Sequence, residues 1–79
     1  MSELSATKEL DAKGLVCPMP SVKTALALEG MKTGEVLKVI TDDPVSKRDL
    51  PLWAKSTGNE VVGIEEDGTL INIYLKKIE

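Results

Sequence analysis

The sequence predicts an α+β fold, a two-layer α/β sandwich of order β-α-β-α-β-β, with a four-stranded mixed sheet and two helices on one face. Three observations predict it. Turn signals cut the 79 residues into six short elements, without internal repeats or long linkers. Asp67-Gly68 sits between two strand-like runs, which makes the last two strands antiparallel neighbours. The first two strands are joined through a helix, and a short right-handed crossover of that kind requires them to be parallel. Both helical segments carry one apolar face, while Lys38 and Asn72 give the sheet a polar side, so both helices belong on the same side.

The first strand covers about Thr7 to Asp11, and Gly14 opens the turn that follows. The first helix is expected to start immediately after Cys17. Pro18 then takes the first helical position, where a missing N–H is no loss, and Pro20 still lies in the first turn. Met19, Val22, Ala25, Leu26 and Met31 have the spacing of an apolar stripe facing the core; Lys23 and Glu29 point to solvent, and Gly30 ends the helix. Lys32-Thr33-Gly34 is a turn, and Glu35 to Thr41 reads as a largely buried, central strand. Asp43-Pro44 pairs a capping residue with a proline, but Pro51 would disrupt an uninterrupted helix. Asp43-Pro44 starts a second helical segment whose entry is capped either by Asp43 or by Asp49, and the expectation is a turn followed by a helix ending at Gly58. Glu60 to Glu65 and Thr69 to Lys76 form the closing hairpin.

Length allows a single domain, residues 1–79, with an ordered core over about 7–78. Apolar residues at 42% and charged residues at 29% are a globular balance, so the core forms without staples. A net charge of -3 argues against direct nucleic-acid binding, which needs a basic stripe to displace phosphate counterions, and points to protein partners. The start, MSELSATKEL, has two glutamates and no apolar signal core, and nowhere is there an apolar run long enough for a membrane span. A cytoplasmic location is expected. One cysteine and no histidine exclude an internal disulfide, a Cys-x-x-Cys switch and the usual structural zinc site. The Glu65-Glu66-Asp67 run is a soluble turn rather than a metal site, so no metal and no cofactor are expected.

Cys17 is the one side chain with nucleophilic chemistry near neutral pH, and the sequence puts it at the start of a helix. Unpaired amides and the helix dipole there stabilise a thiolate or a persulfide anion. Lys13 and Lys23 lie near it in sequence and would add positive potential, unless they are simply solvated. A free cysteine is also among the most commonly buried residue types, acting as a small hydrophobe. On residues alone two readings stand: a reactive thiol, or a non-catalytic protein-interaction or regulatory module with a structural Cys17. Trp53, the lone tryptophan, is expected to pack between helix and sheet.

The segment LDAKGLVCPMPSVKTALAL and the block GEVLKVITDDPVSKRDLPLWAKSTGNEVV resemble the SirA/TusA-like sulfur carriers. The likeness runs from about Leu10 to the last strand. It includes a Leu-Asp-x-x-Gly-x-x-Cys-Pro-x-Pro signature in Leu10, Asp11, Gly14, Cys17, Pro18 and Pro20, and Asp43, Pro44, Arg48, Asp49 and Pro51 in the second block. The resemblance implies that Cys17 bears persulfide sulfur and that Gly14, Pro18 and Pro20 shape its loop. It implies a cysteine desulfurase or rhodanese-type donor, and an acceptor protein in tRNA 2-thiolation, sulfur oxidation or cofactor biosynthesis. Arg48, the only arginine, and Asp49 match the family's charged pair, either as a docking contact for an acidic partner or as a structural ion pair. Alanine at position 54, where some relatives carry a second cysteine, argues against intramolecular thiol exchange. Sulfur exchange needs no general base, so the absence of histidine suits a stoichiometric, monomeric carrier within sulfurtransferase relays better than an autonomous enzyme.

Overall fold

The computed structural model describes residues 6–15 and 19–78. Its elements are β1 (Lys8–Asp11), α1 (Met19–Glu29), β2 (Val36–Thr41), α2 (Pro44–Ser56), β3 (Glu60–Asp67) and β4 (Leu70–Lys76). The sheet order is β1-β2-β4-β3, with β1 parallel to β2 and the other two pairings antiparallel. The expected two-layer architecture holds, and β2 is central as predicted.

Alternation decides which side of the sheet is covered. Leu37, Val39 and Thr41 of β2 and Ile71, Ile73 and Leu75 of β4 are buried beneath the helices. Their neighbours Val36, Lys38 and Ile40 are only half-buried, so β2 alternates instead of being buried on both faces. The core closes with Ala12, Leu28, Met31, Leu50 and Ala54, and Trp53 packs against it as expected.

Three local expectations are corrected. Met31, just past α1, is buried, but Met19, Val22 and Leu26 of the helix are exposed, Leu26 at 64%. The helix instead seats Thr24 and Leu28 on the sheet. Alanine, valine and leucine occur on several sides of this helix, so periodicity alone does not single out the line through Thr24 and Leu28 that is buried.

The second helix is continuous from Pro44, not a turn followed by a helix. The Asp43 carboxylate accepts from Val45 N–H at 3.1 Å and from the Ser46 hydroxyl at 3.3 Å, which makes Asp43 the N-cap. Pro51 lies inside the helix and forfeits one backbone bond, yet Ser46, Leu50 and Ala54 bury one face over the same turns. That burial outweighs the lost bond. The helix ends at Ser56, with Thr57 as C-cap.

The hairpin falls where expected, but its two-residue loop is Gly68-Thr69, since Asp67 pairs with Leu70. Only Gly68 has a positive φ, +64°, matching a Gly-first turn rather than Asp-Gly.

On the uncovered side, Lys38 lies between Glu9, at 3.9 Å, and the Tyr74 ring, whose centroid is 6.0 Å from its Nζ. The Tyr74 hydroxyl donates to Glu65 at 3.2 Å. Burial, with the Glu65 hydrogen bond next, raises the phenol above its usual pKa of 10.0, against a smaller opposing pull from Lys38. The folded state therefore holds this proton more tightly than the unfolded chain does. The stabilisation is intact below the unfolded value and is lost as pH rises through the folded one. Titration of the single tyrosine by near-ultraviolet absorbance is expected to show a midpoint above 10.0 in the native protein. Tyr74→Phe should make the alkaline fall in stability shallower than in wild type; a midpoint at or below the usual value would contradict this.

Candidate functional site

Parallel β1 and β2 each feed a helix at their C-terminal ends, so α1 and α2 both begin at the same edge of the sheet. Thr41 pairs with Ile71, which brings the β3–β4 hairpin to that edge too. Lys47 of α2 forms an ion pair with Glu66 of β3 there. This edge is where helix N-termini with anion-favouring amides converge.

Cys17, Pro18 and their immediate neighbour Val16 lie outside the described residues. On the near side, Ala12-Lys13-Gly14-Leu15 is a tight turn closed by Leu15 N–H donating to the Ala12 carbonyl at 3.3 Å. Gly14, at φ +79°, supplies the left-handed conformation that a type II turn needs at its third position. No atom would meet a Cβ there, so the requirement for glycine is conformational, not steric. Leu15 packs on the core and anchors the turn. On the far side, α1 starts at Met19, with Pro20 as its second residue. Three residues span the gap between these two fixed points.

The Gly14 N–H donates to the Asp42 carboxylate at 3.1 Å, and Ala12 N–H to the Ile40 carbonyl at 2.7 Å. Both bonds fasten the β1–α1 loop to the end of β2. Asp11 accepts from Lys13 N–H at 3.0 Å, which stiffens the same turn. The Asp42 contact was missed from sequence. The Asp-Asp-Pro run signals a helix start, but a contact across 28 residues leaves no local trace.

Arg48 and Asp49 lie on α2, with Arg48 Nε 3.8 Å from Asp49 Oδ1 and the arginine side chain 80% exposed. A contact that long and that solvated contributes little to folding. The two positions are not brought against the turn by any hydrogen bond or ion pair among the described residues. Ala54 is fully buried, so position 54 is a core site in this chain. No group of acidic residues with metal-binding geometry occurs among the described residues.

With this geometry in hand, the sequence profile of the Sulfurtransferase TusA family matches residues 8–77. The chain belongs to the TusA family. YrkF of Bacillus subtilis is 49% identical over 74 residues, covering 94% of this chain but 40% of that protein, so the chain spans two fifths of its length. A Thermotoga maritima protein is 47% identical over 77 residues, 96% of this chain and 98% of its own length. The sulfur carrier protein TusA of Allochromatium vinosum is 43% identical over 70 residues, covering 89% of this chain and 92% of that one. The SirA-like protein of Desulfitobacterium hafniense has a solved structure that superposes with a TM-score of 0.78 at 30% identity, covering 91% of this chain and 99% of that one. The TusA-type α+β fold is thus shared from β1 to β4, and the family is one of sulfur carriers.

Among the described residues no helix is long and apolar enough to cross a membrane. Among the described residues, five of the eight exposed large apolar side chains lie on the helices, and Val62, Ile64 and Ile78 lie elsewhere. Met19, Val22 and Leu26 recur along one side of α1, and Leu52 of α2 is 62% exposed. Four cations, Lys23, Lys47, Arg48 and Lys55, stand on the two helices against Glu29 and Asp49, so the helix layer is cationic although the whole chain carries -3.

Proposed function

We propose that this chain is a cytoplasmic sulfur carrier in which Cys17 takes sulfur from a donor protein, holds it as a persulfide and delivers it to an acceptor. The observation that carries the reading is family membership over nearly the whole domain, with the Cys17-Pro18-x-Pro20 motif running in sequence into the first turn of α1. Loading is a thiol exchange. The Cys17 thiolate attacks the outer sulfur of a donor persulfide; the donor's S–S bond breaks as the new one forms, and the donor cysteine leaves as thiolate. The outer sulfur keeps its proton and no external oxidant is consumed. A cysteine desulfurase or a rhodanese-type protein supplies such a persulfide, and an acceptor thiol reverses the step.

One domain that meets two partners in turn suits a monomer, with residues 1–79 acting as the carrier module. Its solvent-facing helix stripe, with a cationic surround, fits a partner surface that is apolar at its centre and acidic at its rim. Arg48, too exposed to serve folding, belongs to that contact on this reading.

Intact mass spectrometry after incubation with a cysteine desulfurase and cysteine tests the function. The expected result is a gain of one sulfur atom, reversed by a reducing thiol. Failure of desulfurase, rhodanese-type donor and inorganic polysulfide alike would end the carrier reading. For the docking surface, Leu26→Asp is expected to slow loading from the protein donor on the order of ten-fold, the equivalent of one lost apolar contact of about 1.4 kcal/mol. Loading from polysulfide should be unchanged, and equal slowing with both would place the defect in the fold.

A further inference from the structure

We propose that Asp42 is a positioning residue for the sulfur-bearing loop, acting through the Gly14 amide; this rests on Cys17 being the sulfur carrier. In a type II turn closed between Ala12 and Leu15, the N–H of the third residue has no partner inside the turn. In this chain that N–H belongs to Gly14 and is taken by Asp42 Oδ1 at 3.1 Å. Asp42 is itself held in place. It follows the last residue of β2, and the next residue, Asp43, donates its N–H to the Thr41 hydroxyl at 3.1 Å while capping α2. The carboxylate thus reaches from the β2–α2 junction to a turn that Ala12 also fastens to β2.

Beyond Leu15, three residues lead to the start of α1 at Met19, and Cys17 is the middle one. Gly14 precedes Cys17 by three residues in the sequence, so the turn that Asp42 holds sets where the chain departs towards the thiol. Thiol exchange needs the attacking sulfur aligned with the S–S bond it breaks, and small misplacements of a reacting atom cost rate steeply. Asp42 is exposed and outside the buried core, so the effect of its carboxylate on alignment is separable from core packing.

Two substitutions separate the hydrogen bond from the charge. Asp42→Ala removes the acceptor, whereas Asp42→Asn keeps an oxygen at the same place and removes only the charge. With inorganic polysulfide as the sulfur source, Asp42→Ala is expected to load Cys17 on the order of ten-fold more slowly than wild type, and Asp42→Asn to load at close to the wild-type rate. Amide hydrogen exchange read by NMR should quicken at Gly14 in Asp42→Ala alone, with the Val39 and Ile73 amides of the central strands unchanged. Loading of Asp42→Ala at the wild-type rate would overturn the proposal. So would an Asp42→Asn variant as slow as Asp42→Ala, which would assign the effect to charge, or faster exchange at the central strands, which would assign it to stability. If the wild-type protein takes up no sulfur from any donor, the carrier reading falls and the role of Asp42 falls with it. A response of Gly14 exchange would then show a tether without a transfer function.

Discussion

Cys17→Ser is expected to abolish sulfur uptake completely while leaving the fold intact. The chain has one cysteine, so no second thiol can substitute for it. A serine hydroxyl stays protonated near neutral pH and cannot form a stable persulfide equivalent, so loss should be total rather than partial. Serine differs from cysteine by one side-chain atom and position 17 precedes α1, which makes the substitution mild for the helix. Thermal unfolding within a few degrees of wild type, together with no gain of sulfur from desulfurase, rhodanese-type donor or polysulfide, is the expected pair of results. Retention of full activity in a pathway that depends on this protein would instead support the interaction-module reading, in which Cys17 only packs. The variant should still bind the donor, because Met19, Val22, Leu26 and Arg48 are untouched. Binding without uptake is the signature of a carrier deprived of its thiol.

Much of this arrangement is legible in the sequence because the informative signals are local. The hairpin is announced by the turn signal at Asp67-Gly68, and Asp43-Pro44 offers an entry to α2 that Pro51 then argues against. The parallel pairing of β1 and β2 follows from the crossover between them. The errors arise where a choice is settled by tertiary contact. α1 carries apolar residues on several sides, so periodicity proposes a stripe through Val22 and Leu26, and only docking on β1 and β2 selects Thr24 and Leu28. Pro51 argues locally against one long helix, and the burial of Ser46, Leu50 and Ala54 decides otherwise. The candidate site divides in the same way. Cys17, Gly14 and the prolines stand out by type and spacing, whereas Asp42 enters only when the chain folds back 28 residues to meet Gly14. The exposed stripe on α1 was misread as core for the same reason, and that misreading concealed the surface best suited to a partner.

Among stability changes, Leu50→Ala is expected to have the largest effect. Leu50 is fully buried in the middle of α2, which lies on β3 and β4, with Ile73 and Leu75 in the same core. Truncating a buried leucine removes its transfer free energy and leaves a cavity, together costing about 2–5 kcal/mol. Relaxation is restricted here. The helix is pinned at one end by the Asp43 cap and at the other by Asn59 N–H donating to the Ala54 carbonyl at 2.8 Å, so it cannot easily settle into the space. A domain of this size has a total stability of roughly 4–12 kcal/mol, so the loss is a large fraction of what there is. The unfolding midpoint should fall by roughly 10–25 °C, measured by circular dichroism. Leu52→Ala on the outer side of the same helix, where the side chain is mostly in solvent, should move the midpoint by only a few degrees. Equal effects at the two positions would mean that α2 does not present its Leu50 face to the sheet. The contrast also bears on function: Leu50→Ala should lose sulfur loading only at temperatures where it unfolds, whereas Leu52→Ala stays folded and reports only on partner contact.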